Sequence, residues 1–222
     1  MGYNSDAMTK NTVTQLKKFF SKFPSIKYPK GALLHKPGDK FTHIYFVRNG
    51  FVRIYIKNGS QETTLNIFKP LFMVSLVQSY TNHPSNFYIE ALTPCEVWAA
   101  PTQEYQKYVD NDSKLAKQIT TFFFNSVLQL LNNQTNIISG NATNKVAAVL
   151  LQLAFDYGQV KGDHLLVSFP ATHRILASLI GLTRETTSVQ MSKLQKKGII
   201  STKRSNFTVI SLDKLKKLSQ LD

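Results

Sequence analysis

Between residues 12 and 23 the apolar side chains Val13, Leu16, Phe19, Phe20 and Phe23 recur at helical spacing and stop before Pro24. That pattern predicts a short amphipathic helix. From Tyr28 the period changes. Val52, Ile54 and Ile56 alternate with Arg53, Tyr55 and Lys57, the two-residue repeat of a strand, and Asn49-Gly50 and Asn58-Gly59 bracket the run. Both dipeptides favour tight hairpin turns because they tolerate positive φ. Thr63, Leu65 and Ile67 resume the alternation, and Ile89 to Ala100 supplies more strand. Many short strands with regular turns predict an antiparallel barrel or jelly roll over residues 28–101.

A long helix is expected next. Asp110, Asn111 or Asp112 can cap its start, and no Gly or Pro interrupts the chain from Asp112 to Ser139, a run of about 40 Å as helix. Ile119, Phe123, Val127, Leu130, Gln134 and Ile137 recur at spacings of four and three, close to a coiled-coil seam. Phe122, Leu128 and Leu131 lie off that seam and are expected to pack on the barrel. Two apolar faces on one helix favour a dimer over a single long core helix. Gly140 breaks the run, and Asn141 or Thr143 can cap a second helix from about Lys145 to Tyr157, closed by Gly158. The hinge falls near Ser139–Thr143. The expected organisation is therefore an N-terminal roll over 1–111, a dimerisation helix over 112–140 and a C-terminal domain over 141–222.

The C-terminal domain carries the motif with a function. From Thr172 the chain reads THRILASLIGLTRETTSVQMSKLQKKGII. Thr172 caps a short helix whose Ile175, Leu176 and Leu179 should face inward, and Gly181 supplies the turn. Thr183 then caps a second helix that Gly198 stops near Lys197. Two short helices joined through a Gly turn form a helix-turn-helix, whose second helix enters the major groove of DNA. Ser201 to Ile210 follows as a weakly alternating hairpin, or wing, around the polar Lys203-Arg204-Ser205-Asn206. At about 100° per residue, Arg184, Glu185, Ser188, Val189 and Ser192 share one face of the second helix. Thr187, Gln190, Met191 and Leu194 fall on the other and should pack inward, although a slight rotation of the helix would bring Gln190 to an adenine instead.

Charge agrees with that motif. The 222 residues hold 27 Lys and Arg against 13 Asp and Glu, a net charge of +14. Half of the excess sits in residues 170–222, so the C-terminal quarter of the chain is the most basic part, a footprint for phosphate backbones. Hydrophobic residues make up 42%, enough for a core, and the longest apolar run, Val146 to Leu151, is far short of a membrane span. The polar N-terminus lacks the apolar core of a signal peptide, so a cytoplasmic location is expected. A single cysteine, Cys95, excludes an intrachain disulfide, a thiolate zinc site and a four-cysteine iron–sulfur centre; it is expected to be a buried, inert thiol. No Gly-rich phosphate loop, His-Glu-x-x-His or paired cysteines occur, so neither an enzyme nor a resident metal or cofactor is expected.

Gly181-Leu182-Thr183-Arg184-Glu185-Thr186 resembles the recognition-helix entry of the CRP/FNR family of bacterial transcription regulators. Tyr28-Pro29-Lys30-Gly31, Lys36-Pro37-Gly38-Asp39 and Ile44-Tyr45-Phe46-Val47 leading to Gly50 are similar to that family's effector-domain β-roll, and Glu90 to Val97 resembles its closing strand. The resemblance covers nearly the whole chain. It implies an α+β protein with an antiparallel β-roll or jelly roll, a long dimerisation helix and a winged helix-turn-helix, homodimeric on a palindromic operator. Double-stranded DNA, a second copy of the chain and RNA polymerase are the expected partners. The expected DNA-contacting set is Thr172, Thr183, Arg184, Glu185, Thr186, Ser188, Val189, Ser192, Lys193, Lys203 and Arg204.

The chain departs from the family at two places. Cyclic-nucleotide-binding members hold ribose and phosphate with a Gly-Glu pair and an Arg-Ser pair, because a buried phosphate wants a cation and a ribose hydroxyl wants a carboxylate. Here those stretches read Phe72-Met73-Val74-Ser75-Leu76-Val77 and Ser85-Asn86, so control by cyclic AMP is not expected. Phe72, Ser75, Tyr80, Ser85 and Asn86, with Phe87 and Tyr88, remain candidates to line an apolar effector pocket, against the simpler reading that they pack the roll. His35, His43 and His83 are isolated and are expected to be ordinary histidines rather than haem ligands. At Val189 the family commonly has an arginine that reads guanine. Valine cannot bond O6 or N7, so guanine readout there should be lost.

Overall fold

The computed structural model describes residues 8–81, 85–138, 140–203 and 206–219. The chain divides into two compact units, Asp6–Phe124 and Asn125–Asp222, and a single long helix runs from the first into the second.

The first unit opens with α1 (Lys10–Phe20). The helix starts before the expected residue 12 because the Thr9 hydroxyl accepts the Thr12 N–H and caps it, and it ends before Phe23. Eight strands follow: β1 (Ser25–Tyr28), β2 (Leu33–His35), β3 (His43–Asn49), β4 (Val52–Asn58), β5 (Gln61–Phe68), β6 (Met73–Val74), then, after α2 (Leu76–Thr81), β7 (Tyr88–Ala91) and β8 (Cys95–Pro101). They form two four-stranded antiparallel sheets, ordered β1-β8-β3-β6 and β2-β7-β4-β5. This is the expected jelly roll. α3 (Thr102–Asp110) and the leading part of α4 (Ser113–Ile138) close the unit.

Period-two alternation splits the core in two. Ile44 and Phe46 of β3 and Ala100 of β8 join Leu16, Phe19 and Phe20 of α1, Tyr105 and Val109 of α3, and Leu115 and Ile119 of α4. The opposite face of the same sheet sends Val47, Cys95 and Val97 inward against Val52, Ile54, Ile89 and Ala91. Leu16 and Phe20 are fully buried, each worth about 1.5–3 kcal/mol of apolar transfer. The turn between β3 and β4 requires glycine: Gly50 has φ +81°, and a Cβ there would strike the Pro94 carbonyl oxygen.

The other face of β4 departs from a plain polar exterior. Arg53 is 3% exposed, and its Nη2 donates to Glu62 and Glu90, both at 2.9 Å. Its guanidinium lies 4.0 Å over the Tyr55 ring, Tyr55 stacks on Tyr88 at 5.1 Å, and Lys57 sits 3.7 Å from Glu62. Burial opposes the guanidinium charge, but the bonds to Glu90 and Glu62 outweigh it and hold the group protonated above its ordinary value.

On α4, Phe122 packs edge-on against Phe72 at 5.4 Å, as expected of a residue facing the roll. Leu128 and Leu131, expected beside it, are 58% and 59% exposed, with Phe124 at 61%. Ile119 is instead buried in the core of the first unit. The long-helix periodicity could not separate these faces, because an apolar residue reads the same whether its partner is the roll or something outside it.

The second unit continues after Gly140 with α5 (Ala142–Tyr157), β9 (Gly158–Lys161), β10 (His164–Val167), α6 (His173–Ile180), α7 (Arg184–Lys196), β11 (Ile200–Lys203), β12 (Asn206–Val209) and α8 (Leu212–Ser219). Asn141 caps α5 three residues ahead of the expected start: its side chain accepts the Thr143 and Asn144 N–H groups, while Asn144 accepts the Asn141 N–H. The wing hairpin is extended into a sheet ordered β11-β12-β10-β9. Hairpin β9–β10 and helices α2, α3 and α8 add to the expected elements, and Leu212, Leu215 and Leu218 of α8 recur at helical spacing.

Candidate nucleic-acid interface

α6 and α7 are built from local signals. The Thr172 hydroxyl accepts the Ile175 N–H at 3.3 Å and starts α6. Gly181 ends it in the left-handed region, φ 66° and ψ 28°, where a side chain would be strained. Two residues on, the Thr183 hydroxyl accepts the Thr186 N–H at 3.1 Å and starts α7. On α6, Ile175, Leu176 and Ile180 are buried, while Leu179, expected inside, is only partly so.

The two faces of α7 separate as the helical phase predicts. Thr187, Gln190, Met191 and Leu194 are buried. Arg184, Glu185, Val189, Ser192 and Lys193 are exposed, with Thr186 and Ser188 half-buried beside them. Gln190 does not turn outward to meet a base. Its Oε1 accepts the Thr143 hydroxyl of α5 at 2.8 Å, and Val189, 52% exposed, holds the outward position. Thr172 is half-buried and Lys203 exposed, whereas Arg204 lies outside the described residues. Lys193 and Lys196 in the last turn complement the helix dipole, and Arg184 sits at the opposite, leading end.

The roll interior differs from a nucleotide clamp. Ser85, in the stretch without the Arg-Ser pair, is buried and bonded to His35 Nε2 at 2.6 Å. The His35 ring stacks on Phe41 at 3.7 Å and neighbours Phe87 at 6.1 Å, and burial pushes its pKa down, favouring the neutral imidazole. Ser75, in the stretch without the Gly-Glu pair, is buried with φ +73° and its Oγ unbonded. Of the other candidate lining residues, Tyr80 and Asn86 are exposed, Phe72 is taken by Phe122, and Tyr88 lies against Tyr55. Among the described residues the buried guanidinium is Arg53, already committed to two carboxylates. Cys95 is a buried thiol that desolvation pushes up to about 11, which makes it unreactive as a thiolate near neutrality. His43 bonds Thr42, and His83 lies outside the described residues. No described helix is long and apolar enough to cross a membrane.

Comparison with known proteins assigns both halves. The model of a cyclic nucleotide-binding domain matches residues 25–112, and that of a Crp-like helix-turn-helix domain matches residues 144–218. A global nitrogen regulator from a Nostoc species is 21% identical over 84% of this chain and 86% of its own length. FixK2 from Bradyrhizobium japonicum superposes with a TM-score of 0.80 at 18% identity, covering 90% of this chain and 98% of that one. A CooA mutant from Carboxydothermus hydrogenoformans gives 0.79 at 20% identity, over 96% and 98%. At such identities the two structures speak for the fold alone, while the two domain models in this order carry the assignment. The chain belongs to the CRP/FNR family of DNA-binding transcription regulators.

Proposed function

We propose that the protein is a homodimeric, non-enzymatic regulator that reads a palindromic operator with α7 and is not switched by cyclic AMP. The observation that carries the first half is the outward arc of α7, with Arg184, Glu185, Val189 and Ser192 exposed and Ser188 half-buried among them, on a helix whose other face is buried. Arg184 offers a forked donor to guanine or phosphate, Glu185 an acceptor for cytosine N4, and Val189 an apolar contact for a thymine methyl. Thr172, Thr183, Thr186, Lys193, Lys203 and Arg204 are assigned to the phosphate backbone, where they fix register rather than sequence. RNA polymerase and an unidentified effector remain the proposed further partners.

Selection of bound duplex from a randomised pool tests the base-reading face. Arg184→Ala is expected to cost about 1–3 kcal/mol on the preferred site and relax one base position. Val189→Arg is expected to introduce a guanine preference. If the wild-type protein already selects that guanine and Val189→Arg changes nothing, the groove face has been misassigned.

The second half rests on the His35–Ser85 pair, a neutral filling where a phosphate would need a cation. Isothermal titration with cyclic AMP should show no binding at micromolar concentration, and duplex affinity should not respond to the nucleotide. A micromolar dissociation constant would overturn this.

A further inference from the structure

Gln190 is a polar side chain on the packed face of the recognition helix. It is 8% exposed among apolar neighbours, Met191 and Leu194, that are 1% exposed. Burying an amide there costs free energy unless it is bonded, and its Oε1 accepts a hydrogen bond from the Thr143 hydroxyl at 2.8 Å. Thr143 belongs to a fixed turn. The capping box between Asn141 and Asn144 holds its backbone, and Asn144 Nδ2 donates to the Leu218 carbonyl of α8 at 3.1 Å. Thus α7 is tied by a directional bond to the first turn of α5, two residues after Asn141.

We infer that the Thr143–Gln190 hydrogen bond sets the roll of α7 about its own axis, making both residues positioning residues for base recognition. The inference rests on α7 being the base-reading helix. Apolar contacts are non-directional and hold a helix against its neighbours with little preference for small rotations. A hydrogen bond weakens steeply with misalignment and supplies that preference. With a helix radius of ~5–6 Å, a roll of about 20° sweeps the exposed side chains by ~2 Å. That exceeds the tolerance of about 0.5 Å within which a recognition group keeps its partner. Gln190 adjoins Val189 directly, so the bond acts next to the residue that holds the outward position.

The experiment compares Gln190→Leu, Thr143→Val and the double variant by selection from randomised duplex, by affinity for the wild-type site and by thermal unfolding. Either single variant should redistribute base preference at the positions facing Val189 and Ser192 and weaken the wild-type site about tenfold. The double variant should be no worse than the singles, since one bond is removed in each case. A role in stability alone would lower the unfolding temperature and leave the base preference unchanged, and that result overturns the inference. Arg184→Ala is run alongside. If it alters preference and the other variants do not, the base-reading face stands and the positioning role falls. If none alters preference, both fall. Should Gln190→Leu fail to fold, Thr143→Val, a near-isosteric change on the other partner, decides the same question.

Discussion

Replacing Phe124 and Leu128 together by glutamate is expected to yield a folded monomer whose affinity for a full operator falls by ~10²–10⁴-fold. Along α4, Phe123, Phe124, Val127, Leu128 and Leu131 occupy an arc of about 140° at 100° per residue, while Phe122 points the opposite way, against Phe72. Phe124 and Leu128 are 61% and 58% exposed, so neither supports the fold of its own chain. Glutamate is a good helix former and keeps the helix intact. In a two-fold pairing of α4, however, each substitution occurs twice across the interface, and the carboxylates would be desolvated without a cation. Each protomer would then bind a single half-site, losing the gain in effective concentration from the second. Sedimentation analysis and gel shift on full and half operators check this. A double variant that remains dimeric places the interface elsewhere. The seam expected from the sequence is shared with this stripe at Phe123 and Val127. Ile119 is taken up by the core, and for Leu130, Gln134 and Ile137 only the backbone is described.

The second large effect concerns stability. Arg53→Ala should cost about 3–5 kcal/mol, because it removes the cation shared by two largely buried carboxylates, leaving Glu90 without it and Glu62 with the more distant Lys57. For a unit of this size the thermal transition should fall by roughly 10–20 °C. Arg53→Met with Glu62→Gln and Glu90→Gln should recover most of the stability, because an uncharged cluster has no unpaired charge to hold. Thermal unfolding of the three proteins measures this. If Arg53→Ala unfolds within a degree or two of the wild type, the cluster is a surface ion pair of little consequence.

The two outcomes show what kind of information each level carried. Residues whose fate is decided by their chain neighbours were readable directly. Thr183 caps α7 and Gly181 ends α6 through bonds to residues three or four positions away, and the helical phase of Thr187, Gln190, Met191 and Leu194 follows from the period alone. The strands and their turns followed likewise from alternation and from Asn-Gly at 49–50 and 58–59. The family's fold and its absent clamp residues follow instead from the resemblance carried by Gly181 to Thr186 and by the roll segments, not from the period.

Residues whose fate depends on a distant segment were not. Arg53 reads as one polar position in an alternating strand, and only the pairing of β4 with both β5 and β7 brings Glu62 and Glu90 to it. Gln190 was ambiguous between a base and the interior until Thr143, 47 positions earlier, arrived within 2.8 Å. Leu128 and Leu131 read as core and are exposed, and Ile119 read as seam and is core. Local period fixes which side chains share a face, because backbone geometry sets it within a few residues. What that face meets depends on long-range packing, and for Arg53, Gln190 and the stripe on α4 only the tertiary structure decided it.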